Sequence, residues 1–161
     1  MEDKLRILIA DDDEIIAKIM EEKLKEEEIF EIIGIAKDKE EVVEMIENLS
    51  PNIVLTDIIK GRRDRAGLDI IKKYNAIDSK IKFIVISGLD ITMEIMRENI
   101  KNIVRIFPKP INLNQLILEL KRVHREIYPV EIVNINNTVQ SFKKKTYLQR
   151  FVEKLLKKLN L

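Results

Sequence analysis

Polar side chains stand directly after four short apolar runs of this 161-residue chain. They are Asp11, Asp12 and Asp13 after the first run, then Asp57, then Ser87, and finally Lys109. Clustered carboxylates repel one another and are stable only with a cation or with shared protons. Mg²⁺ prefers oxygen ligands and would satisfy such a cluster, with water in its open positions. If these residues meet in the fold, we expect a magnesium site.

The same side chains indicate phosphoryl chemistry. One carboxylate of the cluster can act as a nucleophile toward phosphorus and form an acyl phosphate. The metal and the Lys109 ammonium would neutralise charge on the transferring phosphoryl group. The Ser87 hydroxyl can donate a hydrogen bond to a phosphoryl oxygen, and Gly88 leaves room for the group to enter.

These side chains can act together only if the apolar runs form neighbouring strands. We predict strands at Leu5–Ala10, Phe30–Ala36, Asn52–Thr56, Lys82–Ile86 and Ile103–Phe107. Helical spacing of apolar residues predicts helices at Asp13–Glu28, Lys39–Asn48, Gly67–Ala76, Asp90–Asn99 and Asn112–Glu126. Such alternation predicts an α/β fold, with helices on both faces of a parallel sheet. Ligands of such sheets bind beyond the carboxyl ends of the strands.

The segments ILIADDDE, NIVLTD, FIVISG and FPKPI occur in this order and at suitable spacing over residues 4–126. In these segments the chain resembles the receiver domain of two-component response regulators. The resemblance implies a flavodoxin-like, doubly wound sheet of five parallel strands in the order 2-1-3-4-5, with five helices. It also implies a phosphorelay function, in which a sensor histidine kinase or phosphotransfer protein supplies the phosphoryl group and a downstream protein effector responds.

The resemblance implies a role for each site residue. Asp57 matches the aspartate that accepts the phosphoryl group. The expected Mg²⁺ ligands are the carboxylates of Asp11, Asp12 and Asp57 and the backbone carbonyl of Ile59. Ser87 and Lys109 match the residues that contact the phosphoryl group, and the peptide bond from Lys109 to Pro110 is expected to be cis. Asp13 is instead predicted to cap the first helix, and the only histidine, His124, is assigned no role.

The sequence departs from the family pattern in two places. The loop 58–67 is longer than usual, lacks the usual proline and carries three arginines. It is either a solvated loop or one that alters partner choice or the steering of the phosphoryl donor. The residue three before the lysine is Ile106 rather than an aromatic residue, and Phe107 should point to the other face of its strand. Ile59 and Leu89 stand two residues after Asp57 and Ser87, at positions that in this family influence how easily water attacks the acyl phosphate. Both are bulky and apolar, so we expect slow self-dephosphorylation. Apart from self-phosphorylation, we expect no other enzyme activity of this chain.

Composition excludes several other classes of protein. The chain is 45% hydrophobic, which is near the globular norm and excludes disorder as its main state. It has no cysteine, so it is not a disulfide scaffold. No apolar run approaches the length of about 18 residues that a membrane span needs. The N-terminus is acidic within a few residues and does not resemble a signal peptide. We therefore expect a cytoplasmic protein.

Charge divides the chain into two parts. Residues 140–161 carry seven basic residues and one acidic residue, a net charge of +6, which leaves −5 for residues 1–139 out of a total of +1. We expect a receiver domain at 1–127, a connector at 128–141 and a basic amphipathic helix at 142–161. The helix could pack on its own domain or on a second copy, dock on a partner protein, or lie on an anionic membrane or nucleic acid. Membrane contact is the least favoured, and the helix is too short for a complete DNA-binding domain.

Three other functions stay open at this stage. A receiver-like interaction module could act without phosphorylation, as the missing aromatic and the unusual loop would allow. A phosphatase of the haloacid-dehalogenase type also uses an aspartyl nucleophile, in an Asp-x-Asp pattern that Asp11 and Asp13 offer. The basic tail could bind nucleic acid, which a steep salt dependence of binding would reveal.

Overall fold

The computed structural model describes residues 3–57, 66–77, 79–88 and 92–129. Its strands are β1 (Leu5–Ala10), β2 (Phe30–Ala36), β3 (Ile53–Asp57), β4 (Lys82–Ser87) and β5 (Ile103–Pro108). Its helices are α1 (Glu14–Leu24), α2 (Lys39–Leu49), α3 (Ala66–Ala76), α4 (Thr92–Arg97) and α5 (Leu113–Ile127). Every pair of neighbouring strands is parallel, in the order β2-β1-β3-β4-β5. The predicted doubly wound five-stranded sheet is confirmed.

Two hydrophobic clusters lie on opposite faces of the sheet. The first joins the sheet to α1 and α5 through Ala17, Met20, Leu24, Leu116, Leu120 and Val123. The second joins it to α2 and α3 through Val42, Ile46, Leu68, Ile71 and Tyr74. The strands between the two layers are almost entirely apolar because both of their faces are buried.

Polar caps define where several helices begin and end. The Asp13 side chain accepts hydrogen bonds from the backbone N–H groups of Ile15 and Ile16, so its predicted capping role is confirmed. Asn112 caps α5 in the same way, as predicted. Ser50 ends α2 in the left-handed region, with φ of 48°.

Two helices are shorter than predicted. Helix α1 ends at Leu24 rather than Glu28, since the run Glu26–Glu28 would place three carboxylates at the negative end of the helix dipole. Helix α4 ends at Arg97, and Asn99 then takes a left-handed conformation with φ of 51°. Asparagine tolerates that conformation, which stops a helix.

Apart from Tyr128 and Pro129, the predicted connector 128–141 and the predicted C-terminal helix 142–161 lie outside the described residues. The first compact unit of the chain ends at Tyr128. None of the helices in the described residues is both long enough and apolar enough to cross a membrane.

Candidate functional site

The carboxyl ends of the strands bring the predicted site residues to one edge of the sheet. Asp11 follows β1, Asp57 is the last residue of β3, and Ser87 is the last residue of β4. Lys109 follows β5, beside the paired residues Ser87 and Pro108. This alignment is a consequence of parallel register, which keeps the ends of neighbouring strands level.

An ion pair connects two of these residues. The Lys109 ammonium Nζ lies 2.6 Å from Asp57 Oδ2 and 3.8 Å from Asp11 Oδ2. The backbone N–H of Lys109 donates to the Ser87 carbonyl oxygen at 3.0 Å, which holds the start of this segment against β4. The peptide bond between Lys109 and Pro110 is cis, as the resemblance implies.

Asp11 is the most deeply buried acid of the site. Its side chain is 2% exposed. Its Oδ1 accepts a hydrogen bond from the backbone N–H of Asp13 at 2.9 Å, while its Oδ2 is buried and has no hydrogen-bond partner. Burial raises the pKa of Asp11 above its ordinary value, although the Asp13 hydrogen bond and the Lys109 charge oppose the shift. The nearby negative charges of Asp57 and Asp12 add to the increase.

Lys109 stays charged in this environment. Burial alone would lower the pKa of its ammonium group. The hydrogen bond to Asp57 and the charges of Asp11, Asp57 and Asp12 outweigh burial, so the pKa of Lys109 lies above its ordinary value. The site therefore holds a permanent cation beside Asp57 at neutral pH.

The donor set fits a hard cation. The buried Oδ2 of Asp11 has no hydrogen-bond donor, with Lys109 Nζ 3.8 Å away, and Asp57 supplies a second carboxylate at the same edge. Asp12 is exposed, and Ile59 lies outside the described residues. Among the described residues, no three acidic or histidine side chains come together as a ready-made metal cluster. The cation that contacts the carboxylates of Asp11 and Asp57 in this structure is the Lys109 ammonium.

Two contributors at this edge were not predicted. Thr56 is buried, and its Oγ1 donates to the backbone carbonyl of Asp57 at 2.9 Å, which fixes the end of β3. Lys37 follows β2, and its Nζ lies 2.6 Å from Glu14 Oε1 in the first turn of α1. Lys37 has the same position relative to β2 that Asp11 has relative to β1, and this position after a strand is the sequence signal that could have identified it.

The two faces of β5 differ as predicted. Phe107 is buried in the cluster shared with α1 and α5. Ile106 packs against the opposite cluster, which includes the partly buried Ile95 of α4. The face toward α4 therefore carries an isoleucine where the family often has an aromatic residue. The arginine-rich segment 58–65 lies outside the described residues.

The strand order and the acidic edge place the chain in the class of flavodoxin-like α/β proteins that use this edge as a site. Residues 7–121 match the family model described as the response regulator receiver domain. The chain therefore belongs to the receiver domain family of two-component response regulators, which are signalling proteins.

Individual relatives agree with this assignment. The chain is 33% identical over 126 residues to the transcriptional regulatory protein YesN of Bacillus subtilis (strain 168), an alignment that covers 76% of this chain and 33% of YesN. It is 27% identical over 122 residues to a protein-glutamate methylesterase/protein-glutamine glutaminase of Pyrococcus abyssi, covering 70% of this chain and 32% of that protein. The chain spans about a third of the length of these curated relatives.

Solved structures are similar over the same region. A CheY-like receiver domain protein from Methanospirillum hungatei JF-1 superposes with a TM-score of 0.65 at 25% identity, covering 76% of this chain and 95% of that one. A chain of the CheX-CheY-BeF₃-Mg²⁺ complex from Borrelia burgdorferi gives a TM-score of 0.63 at 25% identity, covering 74% of this chain and 88% of that one.

Proposed function

We propose that this receiver domain accepts a phosphoryl group on Asp57 from the phosphohistidine of a sensor kinase or phosphotransfer protein. The observation that carries the proposal is the 2.6 Å contact between Lys109 Nζ and Asp57 Oδ2. It places a positive charge at the carboxylate where phosphoryl charge would develop. The Asp57 side chain is 14% exposed, so a donor can still reach it.

The transfer step follows from this arrangement. A carboxylate oxygen of Asp57 attacks phosphorus, and the bond between phosphorus and the imidazole nitrogen of the donor breaks. The departing imidazole keeps the electron pair of that bond and takes up a proton. An acyl phosphate remains on Asp57, and Lys109 can shift from the carboxylate to a phosphoryl oxygen. Ser87, 3% exposed at the end of β4, is placed to donate its hydroxyl hydrogen to another phosphoryl oxygen.

The residues that would hold Mg²⁺ are Asp11, Asp12, Asp57 and the carbonyl of Ile59. When bound, the metal would neutralise part of the phosphoryl charge and orient its oxygens. The buried Asp11 Oδ2 supports this assignment, because a cation would satisfy an oxygen that no protein donor reaches. The relative solved with BeF₃ and Mg²⁺ is consistent with it.

The exposed start of α1 is a candidate contact for the donor protein. Ile15 and Ile19 are 72% and 51% exposed, one helical turn apart, and α1 begins beside the acidic edge. We expect the double variant Ile15→Ser, Ile19→Ser to take up phosphate normally from a small donor. Transfer from a phosphorylated histidine phosphotransfer domain should slow. Equal slowing with both donors would overturn the docking role.

Two rival functions are less well supported. The dehalogenase-type phosphatase needs the Asp13 carboxylate at the reaction site, but that carboxylate caps α1. A module that acts without phosphorylation would not need an acceptor site, whereas Asp57, Ser87 and Lys109 lie together at one edge of the sheet.

We propose that the chain signals by contact with a protein effector and, through residues 142–161, with a partner or a second copy.

Intact-mass spectrometry tests the acceptor. The protein is incubated with phosphoramidate and Mg²⁺, and the expected product carries one phosphoryl group. Asp57→Asn should abolish the adduct, and chelation of Mg²⁺ should do the same. The matched control is Asp69→Asn, which removes an exposed carboxylate of α3 and should leave the adduct unchanged. No adduct on the wild-type chain would favour the phosphorylation-independent module, and steady release of phosphate from an ester would favour the phosphatase.

A further inference from the structure

A polar cavity opens at the edge of the sheet opposite the candidate acceptor site. Its volume is about 300 Å³, at the lower limit of ordinary ligand pockets. Residues at the amino ends of β4 and β5 and at the end of α3 line it. The polar and charged ones include Asn75, Ser79, Lys80, Lys82, Lys101 and Asn102. No part of the proposed phosphotransfer mechanism uses this cavity.

Three lysines line the cavity, and none of the described acidic residues lines it with them. Among the described residues, no carboxylate lines it or pairs with Lys80, Lys82 or Lys101. Asp78, which precedes Ser79 in the sequence, lies outside the described residues. The two lysines of α3 are paired, since Lys72 Nζ lies 2.7 Å from Glu98 Oε1 and Lys73 Nζ lies 3.2 Å from Glu47 Oε1. Like charges held around one cavity repel one another, and a bound anion removes that cost.

The neutral side chains fix the shape of the cavity and leave hydrogen-bonding capacity. Asn75 Oδ1 accepts from the backbone N–H of Lys101 at 2.8 Å, which ties the end of α3 to the start of β5. Asn102 Nδ2 donates to the Ile71 carbonyl at 3.2 Å, while Asn102 Oδ1 is buried without a partner. Ser79 Oγ accepts from the Ile81 N–H at 3.3 Å, so its own hydrogen is available to a ligand oxygen.

A second cavity shares four lining residues with the first. Its volume is about 570 Å³, and it shares the segment Ser79–Lys82 with the polar cavity. Its other walls come from the apolar Ile46, Pro51 and Ile127 and from the polar Ser50 and Asn52. Lys80 and Lys82 line both cavities, so they lie at the boundary between the polar cavity and the more apolar one.

We propose that these neighbouring cavities bind a small phosphorylated molecule whose organic part is apolar or aromatic. The phosphate would lie among the three lysines and Ser79, where each ammonium can donate a charge-assisted hydrogen bond. The organic part would lie against the apolar walls of the second cavity. A site at the amino ends of the strands would let a soluble metabolite bind while the carboxyl edge is engaged with a kinase.

Phenyl phosphate is a suitable probe, with inorganic phosphate and phenol as its two halves. Binding is followed by amide NMR shifts of the Asp57→Asn chain without Mg²⁺, so that the acceptor site does not compete. We expect saturable shifts at the amides of Asn75, Lys82 and Lys101, with a Kd below about 1 mM. Inorganic phosphate should bind about tenfold more weakly, and phenol should not saturate.

Charge variants decide whether the lysines are responsible. The double variant Lys82→Gln, Lys101→Gln should weaken phenyl phosphate binding at least about tenfold. The matched control Lys18→Gln removes a charge from α1, which does not line the cavity, and should leave binding unchanged. Absence of a saturable shift at the cavity, or equal weakening by Lys18→Gln, would overturn the proposal. Neither result depends on whether Asp57 accepts a phosphoryl group.

Discussion

The Lys109 ammonium lies between two carboxylates that follow neighbouring strands, 2.6 Å from Asp57 Oδ2 and 3.8 Å from Asp11 Oδ2. The Lys109 side chain is 30% exposed and the Asp11 side chain is 2% exposed, so the lysine lies on the solvent side of Asp11. Asp11 depends on this charge because its Oδ2 has no hydrogen-bond donor. The lysine thus acts as a stabilising counter-ion for the two carboxylates.

Removal of the Lys109 charge should destabilise the fold. We expect Lys109→Gln to lower the free energy of unfolding by about 1–3 kcal/mol, since it leaves a buried carboxylate without a cation. Urea denaturation near pH 7 measures the change. The loss should shrink in an Asp11→Asn background, where the buried charge is absent. An equal loss in both backgrounds would show that Lys109 stabilises the fold independently of Asp11.

Removal of the Asp11 charge should have the opposite effect. Burial raises the pKa of Asp11, so the charged form is disfavoured in the folded protein. We expect Asp11→Asn to raise the free energy of unfolding by about 1 kcal/mol, because the amide retains the acceptor for the Asp13 N–H. Thermal unfolding with and without Mg²⁺ tests the metal assignment on the same variant. Mg²⁺ should stabilise the wild-type chain and not Asp11→Asn, and equal stabilisation of both would remove Asp11 from the ligand set.

The sequence predicts the sheet and its acidic edge for a simple physical reason. Strands buried on both faces are nearly all apolar, so their ends are marked by the first polar residue. That rule places Asp11, Asp57, Ser87 and Lys109 at one edge. Lys37 is harder to predict because β2 is an edge strand that itself contains the exposed Glu31, so a polar residue does not by itself mark its end.

Helical periodicity is less decisive than strand ends. Ile15 and Ile19 recur at helical spacing with Met20 and Leu24, yet they face solvent while Ala17, Met20 and Leu24 are buried. The small Ala17 marks the buried face because it lets the helix approach the sheet, a packing effect that hydrophobicity alone does not encode. The basic cavity could not be predicted either, since single lysines and asparagines from separate segments of the chain form no local motif.

Two glycines should respond differently to substitution. A Cβ at Gly34 in β2 would lie 3.0 Å from Met45 Sδ and 3.4 Å from Leu8 Cδ1. A Cβ at Gly88 would have no atom within 4 Å among the described residues beyond its chain neighbours. We expect Gly34→Val to cost about 1–3 kcal/mol of unfolding free energy through overpacking. Gly88→Ala should be neutral or slightly stabilising, because alanine restricts the unfolded chain. Parallel denaturation curves measure both, and similar losses at the two positions would contradict the packing explanation.

Glu21 should contribute stability with a defined pH dependence. Its carboxylate contacts Lys18 Nζ and Lys25 Nζ, each at 2.7 Å along α1. The hydrogen bond from Lys18 and then that from Lys25 lower the pKa of Glu21 below its ordinary value of 4.5. The unfolded chain therefore binds the proton more tightly, so the contribution is complete above pH 4.5 and is lost as the pH falls through the folded-state pKa.

The variant Glu21→Gln isolates this contribution. The difference in unfolding free energy between the wild-type chain and the variant should be constant near neutral pH and no larger than about 1 kcal/mol, because solvent screens both pairs. It should shrink toward zero in acid and also at high salt. Denaturation series at several pH values measure it. A difference that grows as the pH falls below 4.5 would show that the two lysines do not stabilise the charged form of Glu21 in the folded state.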